Sequence, residues 1–396
     1  MTEYFDAHRP ATAFDHDSTL VVVMELSNKN WQLAAAVPGV QKRPKVGFSA
    51  RDMGKLLFYV ERWKAQATTA GKRIARVVVA YEAGRDGFWI ARELMAAGIE
   101  AQVMQPSSIP VERKGRRAKT DRIDLDMLLR TLLAFLRGEP KVCTMVRVPS
   151  IEEEDARWPG RERDKLVRER VGLGNQIVSY LNLSGIAGFK PYLKKAAEKL
   201  EELRGRDGAP LPPNVMARMR RLMKRLTLAS EQIAEIDAAR VAEIEAEEKP
   251  GEEQGIGMIR LLVAFCGMGL ETATKLVREV FCRKFRDRRQ IGAFVGLTGT
   301  PFQSGDMERE QGISKNGNGR VRALLMQLTW RWLRFQPDSA LSRWFLERVN
   351  GAKGRIRKVM AVALARKLLV ALWRYVDTGL IPLGARMAGA ARPAGA

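Results

Sequence analysis

Histidine is almost missing from this chain: there are two in 396 residues, His8 and His16, both near the N-terminus. That scarcity excludes a Ser-His-Asp triad and most zinc sites from the body of the protein, so a general base or metal ligand there is a carboxylate, a lysine or a water. Cysteine is scarce as well. Cys143, Cys266 and Cys282 are too few and too scattered for a disulfide framework or a zinc site, and each reads as structural. No apolar run has the length of a membrane span, and residues 1–17 are polar, without the apolar core of a secretory signal. A cytoplasmic protein with no membrane partner is expected. Acid is in short supply too: 45 Asp and Glu stand against 68 Lys and Arg, for a formal net charge of +23. Such an excess implies a polyanionic partner, and without a membrane signal that partner is nucleic acid.

What is present is a globular composition, 46% hydrophobic, in a chain long enough for two or three domains. From Ser18 to Arg137 the pattern alternates strand and helix. Leu20 to Glu25 reads as a first strand, Trp31 to Val37 as its partner across Ser27-Asn28-Lys29-Asn30, and Lys45 to Phe48 as a third. Apolar residues at Met53, Leu56, Leu57, Val60 and Trp63 predict a helix from Ala50 to about Ala67, with Ser49 as its N-cap. A strand ending at Glu82, a helix through Phe88, Ile90, Leu94 and Met95, a strand at Ala101 to Met104 and a helix from Asp121 complete the order of a ribonuclease H-like domain. Beyond it, Ile151 to Arg170 is dense in charge. Leu222, Leu226, Ala229, Ile233 and Ile236 then follow a 4-3-4-3 spacing, a seam of about two heptads that serves either a helical hairpin within one chain or a dimer interface. Glu243 to Glu253 reads as a solvated acidic linker, and from Gly257 the chain is basic and punctuated by glycine.

Four carboxylates carry the most chemistry. Glu25 follows the run Leu20-Val21-Val22-Val23-Met24, and Glu82 follows Val77-Val78-Val79-Ala80-Tyr81. Asp121 and Asp124, three apart at the start of a helical pattern, face one side of it. Two strand ends and a helix start can meet at one hard-cation site for Mg²⁺ or Mn²⁺, although any one such carboxylate alone is more often a cap or a solvated end. Just before the helix, Arg113-Lys114-Gly115-Arg116-Arg117-Ala118-Lys119 has five cations in seven residues, suited to a phosphate backbone.

A second cluster runs from Gly296 to Gly305 and on through Gly312-Ile313-Ser314-Lys315-Asn316-Gly317-Asn318-Gly319-Arg320-Val321-Arg322. Its glycines permit close backbone approach to a ligand, and Lys315, Asn318, Arg320 and Arg322 are candidates for phosphate contact. Ser304 and Ser314 are candidate nucleophiles, though a serine in such a stretch is more often a turn residue. Gly267-Met268-Gly269 suggests a tight turn offering N–H groups to a phosphate, or a plain helix connection, and Lys275 opens a stretch to Arg289 with seven cations against two acids. Lys353 to Arg374 has seven cations and no acid among regularly spaced apolar residues, a helix with a core face and a basic face on which Lys353, Arg355, Arg357 and Lys358 are expected to meet nucleic acid. Trp330, Trp332 and Trp344 read as core.

Taken in order, Met24-Glu25-Leu26-Ser27-Asn28-Lys29, Tyr81-Glu82-Ala83-Gly84, Lys119-Thr120-Asp121-Arg122-Ile123-Asp124, Gly296-Leu297-Thr298, Gln303-Ser304-Gly305 and Ile313-Ser314-Lys315-Asn316-Gly317-Asn318 resemble the signatures of insertion sequence 110 family transposases. The resemblance spans roughly residues 20–375. It implies a RuvC-like α/β N-terminal domain at 18–137 behind an arm at 1–17, a helical, coiled-coil region at 138–255, a mainly α transposase domain at 256–380 and a tail at 381–396. It further implies a metal site of Glu25, Glu82, Asp121 and Asp124, with Ser304 as nucleophile. Recombination of double-stranded element and target DNA, guided by a structured bridge RNA and performed by a dimer or tetramer, is the implied function. The first acidic position of the family is normally aspartate, and here it is Glu25, whose extra methylene shifts the carboxylate by roughly 1 Å, enough to cost ~100-fold in rate. Two rival readings follow from the same residues: a metal-dependent nuclease or junction resolvase in which water attacks, and a non-catalytic nucleic-acid-binding descendant.

Overall fold

Five apolar residues in a row, Leu20 to Met24, suit a strand covered on both faces, and all five are buried in β1 (Thr19–Leu26). The computed structural model describes residues 14–110, 121–139, 142–246, 254–304 and 307–388, and their side chains except at 121–123, 254, 302–304 and 307–311. The basic loop 113–119, the end of the acidic linker, Gly305, most of the N-terminal arm and the end of the tail lie outside these residues.

β1 pairs antiparallel with β2 (Asn30–Ala36), which pairs antiparallel with β3 (Lys45–Ser49). Helix α1 (Met53–Thr69) follows, and its N-cap is Asp52, whose carboxylate accepts from the Lys55 amide at 2.8 Å. The expected cap, Ser49, is instead the last residue of β3, paired with Asn30, and Arg51 at φ 67° makes the turn between strand and helix. β4 (Arg76–Glu82) lies parallel to β1; α2 (Trp89–Ala96), β5 (Glu100–Met104), parallel to β4, and α3 (Asp121–Leu136) complete the series. The sheet order is β3-β2-β1-β4-β5.

Alternation along the strands divides the core in two. Leu20, Val22, Met24, Val79 and Tyr81 pack with α1 and α2 through Leu56, Val60, Trp63, Ile90 and Leu94. Val21, Val23, Val78 and Ala80 pack on the other face with Leu125, Leu128, Leu129 and Leu132 of α3. Arg137, just past the end of α3, donates to His16, just before β1, at 3.2 Å, so α3 runs back along β1 and its start lies at the carboxyl edge of the sheet. Residues beyond Arg137 remain with this body. Met145 bridges to Met104, and Val146 donates to the Val103 carbonyl, so the first compact unit extends through Ser150 rather than ending at Arg137.

The second compact unit, 151–396, begins with α4 (Ile151–Asp155) and α5 (Trp158–Leu183), followed by α6 (Ala196–Glu201) and α7 (Pro213–Glu245). Leu222, Leu226, Ala229 and Ile233 of the heptad seam are buried, and α5 packs along α7. Arg163 pairs with Asp237 while Arg225 pairs with Glu169, a crossing order that makes the two helices an antiparallel hairpin. Then come α8 (Gln254–Val263), α9 (Leu270–Leu276) with a turn of π-helix over Val277–Phe281, and α10 (Arg288–Phe294). Strands β6 (Gly299–Ser304) and β7 (Met307–Ile313) form a hairpin, and α11 (Gly319–Phe335), α12 (Ala340–Val349) and α13 (Arg355–Thr378) close the core around Phe265, Leu325, Trp332 and Leu368. The expectation of a mainly helical C-terminal region therefore holds with one added β-hairpin. Among the described residues no helix is long and apolar enough to cross a membrane.

Candidate active site

Glu25 and Glu82 each follow the last buried apolar residue of their strand, and the register Met24↔Tyr81 makes the two carboxylates neighbours on adjacent parallel strands. By alternation Glu25 shares the face of Val21 and Val23, and Glu82 that of Val78 and Ala80, the face covered by α3. Asp124 precedes Leu128 by four residues, which puts it on the side of α3 that meets the sheet. Glu25, Glu82 and Asp124 thus belong to one face at one edge, and Asp121 is the first residue of α3. Glu25 and Asp124 are half-buried and Glu82 is exposed. Among the described residues no group of three or more His, Cys, Asp or Glu is drawn together as a metal site, and the side chain of Asp121 is not among those described. The donor set, oxygen throughout, fits a hard divalent cation and no softer metal.

Ser304 ends β6 and pairs with Met307 at the tip of the hairpin, while Gly299 pairs with Ile313 at its root. Ser314 lies just beyond that root, where its amide donates to the Thr298 carbonyl and its hydroxyl accepts from the Thr298 hydroxyl at 3.3 Å. The glycines beside it have a structural explanation. A Cβ on Gly317, at φ 123°, would stand 2.3 Å from the Phe294 carbonyl oxygen, and one on Gly296, at φ 69°, 2.5 Å from that of Asn316. These glycines bring two loops against each other rather than against a ligand. Gly267 likewise serves packing, since a Cβ there would stand 2.7 Å from Phe335.

The candidate cations divide. Lys315, Arg320, Lys353, Arg355, Arg357 and Lys358 are exposed, as nucleic-acid contact requires. Lys275 is not available in that way: it pairs with Asp164 and, at 2.6 Å, with Glu271. Arg322 donates to the carbonyls of Val295 and Lys315, both at 3.1 Å, and fixes the loop. Asn318 caps α11 by accepting from the amides of Arg320 and Val321. Of the tryptophans, Trp332 is core, whereas Trp330 is exposed and carries the Arg357 guanidinium 5.1 Å from its ring centre. The charged start of α5 is no solvated face either, because Arg161, Arg163 and Asp164 pair with Glu279, Asp237 and Lys275. Sequence spacing gave no sign of these pairs, whose members lie far apart along the chain. Burial pushes the Cys143 thiol up to about 11, consistent with an inert, structural cysteine.

An α/β unit is joined in sequence to a mainly helical unit that carries a β-hairpin and several exposed cations, an arrangement suited to a polyanionic partner. Residues 259–343, from α8 into α12, match the model of the transposase IS116/IS110/IS902 family. A putative transposase, y4rJ, of Sinorhizobium fredii is 43% identical over 380 residues, 93% of this chain and 94% of its own. Transposases for insertion sequence element IS1328 of Yersinia enterocolitica and IS1111A of Coxiella burnetii are each 26% identical, over 85% and 81% of this chain and 99% and 84% of their own. The chain belongs to the IS116/IS110/IS902 transposase family. Its activity is that of an insertion-sequence transposase, and its substrate is DNA.

Proposed function

We propose that this transposase cuts and rejoins double-stranded element and target DNA through a covalent bond between Ser304 and a DNA phosphate. The observation that supports the reading most is the edge shared by Glu25, Glu82 and the start of α3 in a sheet of order β3-β2-β1-β4-β5, which is also the support for a RuvC-like domain. A Mg²⁺ or Mn²⁺ ion held by Glu25, Glu82, Asp121 and Asp124 would neutralise charge on the scissile phosphate. Lys315 and Arg320 hold the DNA backbone beside the root of the hairpin. The Ser304 Oγ–phosphorus bond forms as the phosphorus–oxygen bond to the leaving deoxyribose breaks, and the serine proton ends on the released hydroxyl. The reverse reaction with a different strand end rejoins the DNA without an external energy source. A structured bridge RNA guides the choice of sites and a dimer or tetramer performs the exchange, supported by the family resemblance and by a net charge of +23.

Incubation with nicked DNA in Mg²⁺ followed by a denaturing gel tests the nucleophile. A protein–DNA adduct is expected from the wild type and none from Ser304→Ala, with DNA affinity kept within a few-fold. An undiminished adduct in the Ala variant, or cleavage with no adduct at all, returns the protein to the hydrolytic reading. Sequencing of RNA that co-purifies with the protein tests the guide, and the absence of any discrete species removes it.

A further inference from the structure

We propose that Glu279 is a positioning residue for the strand-exchange reaction, one that fixes the root of the Ser304 hairpin against helix α5; the inference rests on the Ser304 reading. Glu279 lies in the π-helical turn after α9, a local widening of the helix that recurs at functional sites. Its carboxylate, with a side chain 13% exposed, accepts a two-pronged contact from Arg161 of α5, at 3.1 and 3.3 Å. The same Oε2 that takes the longer of these accepts from the Asn318 amide at 3.2 Å.

Asn318 is where the contact becomes specific. Its Oδ1 caps α11, its backbone amide donates to the Phe294 carbonyl, and it ends the segment Ser314–Asn318 that leads out of β7. Within that segment Lys315 is held at φ 56°, a left-handed conformation unusual for a residue with a side chain, by its amide on the Gly296 carbonyl and by Arg322 on its own carbonyl. Thr298, the residue before β6, is bonded to Ser314 by both backbone and side chain. Glu279 therefore joins α5 to the one place from which both strands of the hairpin spring. A half-buried carboxylate is costly unless its lone pairs are taken, so removal of the Asn318 amide disturbs the loop rather than leaving it in place. The effect of Glu279 and Arg161 on the reaction passes through the angle of the hairpin.

The test reverses one hydrogen bond while keeping the helix cap. Asn318→Asp leaves a side chain that caps α11 as well as asparagine does, but it sets a carboxylate against Glu279. Adduct formation on nicked DNA is expected to fall by about tenfold or more, in line with the sensitivity of such reactions to small misplacements. Amide hydrogen exchange across 299–304 and 307–313 is expected to quicken, with little change in the thermal midpoint. In the double variant Asn318→Asp/Glu279→Gln the new amide donates to the new carboxylate, and both the adduct and slow exchange are expected to return. A merely structural ion pair predicts a lowered midpoint with normal adduct yield per folded protein. Direct contact of Asn318 with DNA predicts no rescue in the double variant. Either result, or unchanged hairpin exchange in Asn318→Asp, overturns the proposal. If the wild type forms no adduct, the Ser304 reading fails separately, and exchange in the hairpin still decides the role of Glu279.

Discussion

Glu25 stands one residue past the buried run of β1, beside Glu82 across the parallel register. If its longer stem holds the metal slightly off, Glu25→Asp keeps or raises the recombination rate, whereas Glu25→Gln, which removes the charge and keeps the shape, lowers it by ~100-fold. Rates of the three proteins at saturating Mg²⁺ settle this, and equal rates for wild type and Glu25→Gln would remove Glu25 from the site. Glu279 gives a pH prediction. Burial alone pushes its carboxyl up, but the Arg161 guanidinium, the nearby Arg157 charge and the Asn318 amide together outweigh burial and hold it below its ordinary value of 4.5. A carboxyl depressed in the folded state adds stability that is complete above the unfolded value and is lost as pH falls through the folded one. Unfolding midpoints measured downward from pH 5 are therefore expected to fall more steeply in wild type than in Glu279→Gln. The strands that carry Glu25 and Glu82 and the helix that opens at Asp121 were legible because such elements leave a local pattern. Glu279 was not, since its partners Arg161 and Asn318 are remote in sequence and each looks ordinary in its own window.

At the scale of elements, α1 turns on its cap. Asp52→Ala removes the carboxylate that accepts the Lys55 amide and is expected to cost about 1 kcal/mol, measurable by urea unfolding; Ser49→Ala, at the end of β3, leaves the cap untouched. Gly317→Ala forces a Cβ against the Phe294 carbonyl at φ 123° and is expected to cost at least about 2 kcal/mol. The strands of the first unit were readable from their apolar runs and the long helix α7 from its seam. The β6/β7 hairpin was not, because Gly-Thr-Pro-Phe-Gln-Ser and Met-Glu-Arg-Glu-Gln-Gly-Ile carry neither clear alternation nor a β-branched run. Helix α13 opens with Arg355, Arg357 and Lys358 and has no acid in its first turn, an unfavourable placement against the helix dipole unless an anion covers it. Replacing Lys353, Arg355 and Lys358 together by Gln is expected to weaken DNA binding and to flatten its log–log salt dependence by roughly 3, about one for each phosphate no longer neutralised. An unchanged slope would take this face out of the DNA interface.

At the scale of the whole molecule, the chain divides at Ser150, with the acidic sheet edge in one unit and the serine hairpin in the other. The first unit holds two apolar clusters, one on each face of its sheet, both filled from within residues 14–148. Expressed alone, residues 1–150 are expected to unfold in a single cooperative thermal transition, and a fragment cut at Arg137 is expected to be less stable because it lacks Met145 and Val146 beside β5. Calorimetry of the two fragments checks both. The sequence placed this boundary early because residues 142–150 join the sheet through one bridge and a few backbone contacts, which leave no periodic pattern.

The hairpin has a mechanical consequence. From Gly299 to Ser304 its strand reaches about 17 Å at ~3.4 Å per residue, so a tilt of about 10° at the root carries the tip roughly 3 Å, a whole hydrogen-bond length. Held instead to about 0.5 Å, the tolerance of a productive nucleophile, the same lever allows only ~2° of play. If Ser304 is the nucleophile, the accuracy of bond making there is set by how stiffly the fulcrum at Gly296, Lys315 and Gly317 is clamped, and small displacements at the root become the difference between an armed and an idle serine.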